Sequence, residues 1–249
     1  MKLSMIVPCY NEGENVAPMY RAIRGALQLS GISYEIIFVN DGSKDNTMEH
    51  LKSIYDRHSK HVRIISFSRN LGKEAAIYAG LKASKGEYTT IIDADLQQRP
   101  ELVLDMIKQL DEDESIDLVA AYQEVRHEGM MLTFFKKCFY RIINRMSDVE
   151  FKSGASDFRT MRRYVVDAIL DLPENYRFSK GIFSWVGFET YYMPYVVEER
   201  AAGTSKWSFW KLFRYAMEGI MAFTTAPLRA ATMLGVTVSL LSIIYMVVV

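Results

Sequence analysis

Five short apolar runs, separated by helix-length stretches, constrain this chain's fold more than any other feature. The runs are Leu3–Val7, Tyr34–Val39, Val62–Phe67, Tyr88–Ile92 and Asp117–Ala121. Helical patterning lies between them, near 13–29, 45–58, 73–84 and 100–110. Asp45 stands where a helix cap is expected, and Pro100 fits a first helical turn. Repeated strand–helix–strand with short connections predicts an α/β fold: a mostly parallel sheet flanked by helices. Ligands of such sheets bind at the carboxyl ends of the strands, so the residues following each strand carry the functional information.

Those residues are polar and turn-forming. They read Pro8-Cys9-Tyr10-Asn11-Glu12, Asn40-Asp41-Gly42-Ser43, Ser68-Arg69-Asn70-Leu71-Gly72-Lys73 and Asp93-Ala94-Asp95-Leu96-Gln97. Three of the four contain a carboxylate. No GxGxxG follows the first strand and no GxxxxGK[ST] occurs, which excludes the dinucleotide fold and the P-loop. Asp93-Ala94-Asp95 is the sharpest local signal. Two carboxylates at the end of a buried strand are costly to desolvate unless a cation or donors meet them. A hard divalent ion, Mg²⁺ or Mn²⁺, fits an all-oxygen set to which Gln97 could add an amide oxygen. Asp41 sits in a tight Asn-Asp-Gly turn, and either shapes that turn or accepts N–H donors from a nucleobase.

Charge and cysteine content narrow the function classes. The 249 residues carry no net formal charge, which argues against a nucleic-acid partner. Residues 1–125 hold 14 Lys and Arg against 19 Asp and Glu, and residues 126–249 hold 16 against 11. The acidic half suits a metal, and the basic half suits anions or an anionic surface. Cys9 and Cys138 lie in apolar surroundings outside any CxxC or Cys/His cluster, which fits a reducing compartment and gives no sign of zinc. His50, His58, His61 and His127 fall in helix or loop contexts and read as surface residues.

The second half reads as membrane-facing. Residues 230–249 contain no charge and end on Tyr245-Met246-Val247-Val248-Val249. About 20 apolar residues cross a bilayer. A transmembrane helix is therefore expected over 228–249 in preference to a buried core helix, and its abrupt end suggests a piece of a longer membrane protein. Arg214 and Arg229 precede it and place the bulk of the protein on the cytoplasmic face of an inner or plasma membrane. Upstream, Lys137, Arg141 and Arg145 share one helical face, with Phe134, Phe135, Phe139, Ile142 and Ile143 on the other. Residues 130–147 are thus either an ordinary amphipathic helix on a core or an interfacial helix, and the downstream span favours the second. Trp207, Trp210, Phe213 and Tyr215 mark 205–227 as a juxtamembrane amphipathic segment, leaving 1–204 as the cytoplasmic α/β domain.

Several motifs together carry a resemblance. VPCYNE at 7–12, NDGSKDNT at 40–47, SRNLGKEAA at 68–76 and DADLQQRPE at 93–101 resemble family 2 glycosyltransferases of the GT-A (Rossmann-like) fold. SDFRTMRR at 156–163, RFSKGIFSWVG at 177–187 and RAAGTSKW at 200–207 narrow the match to the polyprenyl-phosphate glycosyltransferases, the group of bactoprenol glucosyltransferase and dolichol-phosphate mannose synthase. The resemblance implies an inverting transfer of a sugar from a nucleotide-diphosphate donor to a polyprenyl phosphate such as undecaprenyl phosphate. UDP-glucose is the first choice of donor, UDP-N-acetylglucosamine the next and GDP-mannose the third.

By the same resemblance, Pro8, Tyr10, Glu12 and Asp41 hold base and ribose, and Asp93, Asp95 and Gln97 hold the metal on the diphosphate. Arg200, Ser205 and Lys206 lie on a flexible loop closing over the phosphates, and Arg126 meets the acceptor phosphate. Relatives often carry a second basic residue just after Arg126, where this chain has His127-Glu128-Gly129-Met130. Asp157 reads either as a carboxylate near the sugar or as a helix cap before Phe158-Arg159. An acceptor that is already an anionic phosphate needs no strong general base, which accounts for the lack of a His-centred dyad. Two other functions compete: a catalytically silent nucleotide-sugar-binding scaffold, and a processive polysaccharide synthase, whose Gln-x-x-Arg-Trp acceptor motif is missing. Oligomeric state is open, although this group often assembles through its membrane part.

Overall fold

The computed structural model of the chain describes residues 1–123, 155–172, 179–196 and 226–249. Two compact units divide the chain, one made of Met1–Glu128 with Lys152–Ser205 and the other of Gly129–Phe151 with Lys206–Val249.

The first unit is built on a seven-stranded sheet. Its strands are β1 (Leu3–Cys9), β2 (Tyr34–Asn40), β3 (Val62–Ser66), β4 (Tyr88–Ile91), β5 (Leu118–Gln123), β6 (Ala155–Arg162) and β7 (Thr190–Tyr195). They lie in the order β3-β2-β1-β4-β6-β5-β7. The central strands are buried along nearly their whole length because both faces are covered. In β1 only Pro8 is not buried, and in β2 only Tyr34. The helices are α1 (Gly13–Gln28), α2 (Thr47–His58), α3 (Lys73–Ala83), α4 (Leu102–Glu112), α5 (Arg163–Leu170) and α6 (Ser179–Trp185). α1 buries Val16, Met19, Tyr20, Ile23 and Leu27, and α4 buries Val103, Met106, Ile107 and Leu110. Both sets recur at three- and four-residue spacing, which turns one helical stripe onto the sheet.

Strand polarity decides where the site forms. β1 pairs in parallel with β2 and β4, β2 with β3, and β5 with β7. β6 alone runs antiparallel, inserted between β4 and β5. Its amino end therefore lies at the edge where the other strands end. Chain order reverses between β1, which leads outward to β2 and β3, and β4 on its other side. Such a reversal opens a crevice at the carboxyl ends of the strands.

Of the second unit, the helix α7 (Ala226–Val248) is described. Its window Ala231–Val248 has a mean hydropathy of 2.1, and its side chains are exposed from Ala231 onward. The 23 residues span about 34 Å at roughly 1.5 Å each, enough for a hydrocarbon core of about 30 Å. The Thr232, Thr237 and Ser242 hydroxyls donate to the carbonyls of Leu228, Met233 and Val238, four residues back. The helix thus satisfies its own hydroxyls, as a lipid-facing segment must. Pro227 falls in the first turn, where its missing N–H is harmless.

Candidate active site

Three loops at the carboxyl edge are fastened to one another before any ligand is considered. Asn11 has a positive φ of 52°, a conformation tolerated by Asn. It is held from both sides: its N–H donates to Ser43 Oγ at 2.9 Å, and its Oδ1 accepts from Lys44 N at 2.9 Å. Glu12 N donates to Thr47 Oγ1 at 2.8 Å, and Glu12 Oε2 accepts from Asn15 Nδ2 at 2.6 Å. Pro8, in β1, and Tyr10, just beyond it, are half-buried beside these contacts.

Asp45 closes the first junction. Its carboxylate accepts from Gly13 N and Thr47 N, each at 3.1 Å, and from the Thr47 hydroxyl. The cap position of α2 is Asn46, and Asp45, one residue earlier, is instead an acceptor shared by the starts of α1 and α2. A Cβ on Gly13 would meet Asn46 Oδ1 at 1.9 Å, so a larger residue would have to push the Asn46 side chain aside. Burial alone would raise the Asp45 pKa, but the hydrogen bonds from Thr47 and Gly13 outweigh it and lower the value. A folded pKa below the unfolded one contributes stability above the ordinary carboxylate range, lost as pH falls through the lowered pKa. Asp45→Asn is expected to flatten the melting-temperature curve below about pH 4 and to lower it above that. An unchanged acid limb would remove Asp45 from this role.

Asp41 fastens the third loop. It is buried, and its Oδ1 accepts from Leu71 N at 2.7 Å. Its Oδ2 accepts from Gly72 N at 3.0 Å and Asn70 Nδ2 at 2.8 Å. Three of roughly four lone-pair directions therefore point at the chain itself. Gly42 has a φ of +62°, and a Cβ there would lie 2.3 Å from the Arg69 carbonyl carbon. Burial raises the Asp41 pKa, and the Leu71 and Gly72 N–H groups only partly offset it.

The fourth loop carries Asp93 and Asp95. The β4–β6 register pairs Ile91 with Arg159, and its continuation sets Asp93 opposite Asp157. Asp157 lies within strand β6, and the next helix opens only at Arg163, which rules out the helix-cap reading. Lys73, the first residue of α3, reaches between them. Its Nζ stands 2.6 Å from Asp93 Oδ1 and 2.7 Å from Asp157 Oδ2. Burial opposes the Lys73 charge, but Asp157 and Asp93 more than reverse this and raise its pKa. At Asp93 burial raises the pKa, Lys73 pulls it down, and Asp157 and Asp95 push it up again, for a net rise.

Sequence reasoning missed two residues here. Lys73 could have been noticed because a lysine at a helix N-terminus opposes the helix dipole. Gln98 had no such signal, since Gln97 drew the attention. Gln98 is buried, accepts from Asp93 N at 3.0 Å and donates to Ser156 Oγ at 3.0 Å. It links the Asp93 loop to the residue before Asp157. Gln97 donates its backbone N–H to Asp95 Oδ1 at 3.2 Å. Leu96 between them has a φ of +61°, costly for a leucine and typical of a backbone held for function.

Among the described residues no three metal-binding side chains converge. The carboxylates of Asp93 and Asp95 still fit Mg²⁺ or Mn²⁺, which are commonly bound by one or two carboxylates plus substrate phosphates. Arg126, Arg200, Ser205 and Lys206 lie outside the described residues, as do His127, Cys138, residues 130–147 and nearly all of 205–227. The surface reading of the histidines needs correction at two of them: His50 is half-buried and its Nδ1–H donates to the Gly13 carbonyl, and His58 is half-buried too. His58 and His61 stack on Tyr20 and Tyr34.

Comparison with known proteins agrees with this arrangement. The chain is 40% identical over 245 residues to the putative glycosyltransferase CsbB of Bacillus subtilis, covering 98% of this chain and 74% of that protein. It is 39% identical over 246 residues to the bactoprenol glucosyl transferase of Shigella phage SfV, covering 98% of this chain and 79% of the relative. Among solved structures, glucosyl-3-phosphoglycerate synthase from Mycobacterium tuberculosis, in complex with Mn²⁺, UDP and phosphoglyceric acid, matches with a TM-score of 0.59 at 19% identity, over 87% of this chain and 75% of that one. The mannosyltransferase PcManGT from Pyrobaculum calidifontis, in complex with GDP-Man and Mn²⁺, matches with a TM-score of 0.58 at 17% identity, over 82% of this chain and 58% of that one. These structures share the GT-A fold of the seven-stranded sheet. The Glycosyl transferase family 2 profile matches residues 4–170. That match spans more than half of the sequence, and the chain belongs to glycosyl transferase family 2.

Proposed function

We propose that the protein transfers glucose from UDP-glucose to bactoprenol phosphate at the cytoplasmic face of a membrane. One observation carries the reading: a carboxylate-lined sheet edge and a membrane-length apolar helix occur in the same chain. The near full-length likeness to bactoprenol glucosyl transferases supports the choice of sugar and acceptor. The sheet edge takes the donor, and α7 keeps the site near a lipid acceptor. Residues 1–204 form the catalytic domain, and 205–249 attach it to the membrane.

The interlocked loops around Tyr10, Glu12 and Asp41 form a rigid floor for base and ribose, organised before the donor arrives. Asp93 and Asp95, with Gln97, hold Mg²⁺ or Mn²⁺, which supplies charge stabilisation to the departing diphosphate. Arg200, Ser205 and Lys206 add donors to the same phosphates. Asp157, held by its ion pair with Lys73, accepts hydrogen bonds from sugar hydroxyls and orients the anomeric carbon. Arg126 meets the acceptor phosphate, whose oxygen attacks directly and inverts the configuration.

The test uses the protein in liposomes containing undecaprenyl phosphate, with Mn²⁺ and a panel of UDP-glucose, UDP-N-acetylglucosamine and GDP-mannose. Expected is UDP release from UDP-glucose only when the lipid phosphate is present, with one sugar per lipid. No nucleotide release from any donor would overturn the enzyme reading, and products of several sugars would indicate a polymer synthase.

A further inference from the structure

A divalent cation and an ammonium compete for the same kind of partner, and two carboxylates facing each other across a few ångströms attract either. Asp93 and Asp157 are such a pair, brought opposite each other by the antiparallel β6. The Lys73 ammonium is already between them, at 2.6 Å and 2.7 Å. Its position is not accidental to a loose surface chain. The preceding Gly72, at a φ of 97°, is fixed by its N–H on Asp41, and α3 packs behind it on β1 and β2. The side chains of Asp157 and Asp93 are 13% and 30% exposed, which leaves solvent little room to replace the lysine.

We propose that Lys73 is a positioning residue that acts as a built-in cation: it fills the gap between Asp93 and Asp157 and so keeps Asp157 out of metal coordination. The metal is thereby confined to the Asp93 and Asp95 side, and Asp157, paired with Lys73, is left to face the sugar. The inference rests on the metal-dependent reading above, and the experiment below separates the two.

Mn²⁺ binding is measured on the full chain in detergent by the electron paramagnetic resonance signal of free Mn²⁺, without any donor. Lys73→Met is expected to bind Mn²⁺ at least about tenfold more tightly than wild type, since a cation is removed from beside the ligands and Asp157 joins them. The double variant Lys73→Met/Asp157→Asn is expected to lose that gain. A lysine serving only as a structural prop also takes its charge away when replaced, so the discriminating result is that Asp157→Asn weakens Mn²⁺ binding more in the Lys73→Met background than in wild type. Lys73→Gln, of similar length and uncharged, replaces Lys73→Met if the latter does not fold. Equal or weaker Mn²⁺ binding by the single variant overturns the inference, as does a gain that survives Asp157→Asn. Wild type is measured in parallel with UDP present. If it binds no Mn²⁺ even then, while Lys73→Met does, the metal-dependent reading fails and the role of Lys73 stands. If neither protein binds Mn²⁺, both fail.

Discussion

Asp95→Ala is expected to reduce sugar transfer by about a thousandfold or more while leaving the melting temperature within a few degrees of wild type. Asp95 is half-buried on a loop and contributes no core volume, so little packing is lost. What disappears is a formal negative charge at the end of β4, where the leaving diphosphate and its metal are proposed to sit. The side chain also accepts from Gln97 N, which allows a control. Asp95→Asn keeps an oxygen for that bond and loses the charge. If charge is the point, the Asn variant is as inactive as the Ala variant; if loop shape is the point, it retains most of the activity. Wild-type turnover in excess chelator would sink the metal assignment altogether.

The second large effect is expected at Asp41. Removing its carboxylate strips the acceptor from Asn70 Nδ2, Leu71 N and Gly72 N at once. Unmet buried donors cost about 1–3 kcal/mol each, and water reaching this partly open loop lowers the total, so a loss of about 2 kcal/mol is expected. The damage does not stop at stability. Lys73 follows Gly72 directly, so a released loop also releases the ammonium between Asp93 and Asp157. Asp41→Ala should raise the donor KM at least tenfold and lower kcat as well, whereas loss of a base contact alone would leave kcat in place. Asp41→Asn should be intermediate, because one oxygen still accepts from Leu71 N while its amide faces the other two donors. Unchanged stability to denaturant in Asp41→Ala would show that the 70–72 loop is held by something else.

Much of the sheet was legible because its strands are buried on both faces and read as plain apolar runs. β1 to β4 begin at the predicted residues and end within two of them. The helices between them were placed nearly as well, since α1 and α4 show the three- and four-residue spacing in the sequence itself. β6 and β7 were not anticipated. β6 reads Ala-Ser-Asp-Phe-Arg-Thr-Met-Arg, and four of those eight side chains are Ser, Asp or Arg. Its arginines are accommodated by contacts that no local pattern announces. Arg159 lies over the Phe183 ring and donates to the Ser156 carbonyl, and Arg162 donates to the carbonyls of Leu110 and Ile116. The site shows the same division. Asp41, Asp93 and Asp95 stood out because carboxylates directly after apolar strands are conspicuous. The partners that fix Asp93, namely Lys73 and Gln98, come from a helix start and a loop, and their meaning appears only once β6 is opposite β4.

The insertion of β6 also sets an order of events during synthesis. β4 is finished at Ile91, while its neighbour begins only at Ala155. At about 5–20 residues per second, a ribosome takes several seconds to cross that interval. Until then β4 is the border of a four-stranded parallel sheet with one row of amides unmet, and β5 has neither of its partners. The nascent chain thus passes through a stage in which the half proposed to hold the nucleotide can be assembled and the half bearing Asp157 cannot. A nucleotide sugar captured at that stage would meet no acid partner for Lys73 beyond Asp93. The β4 border left open meanwhile is of the kind that invites pairing with another chain.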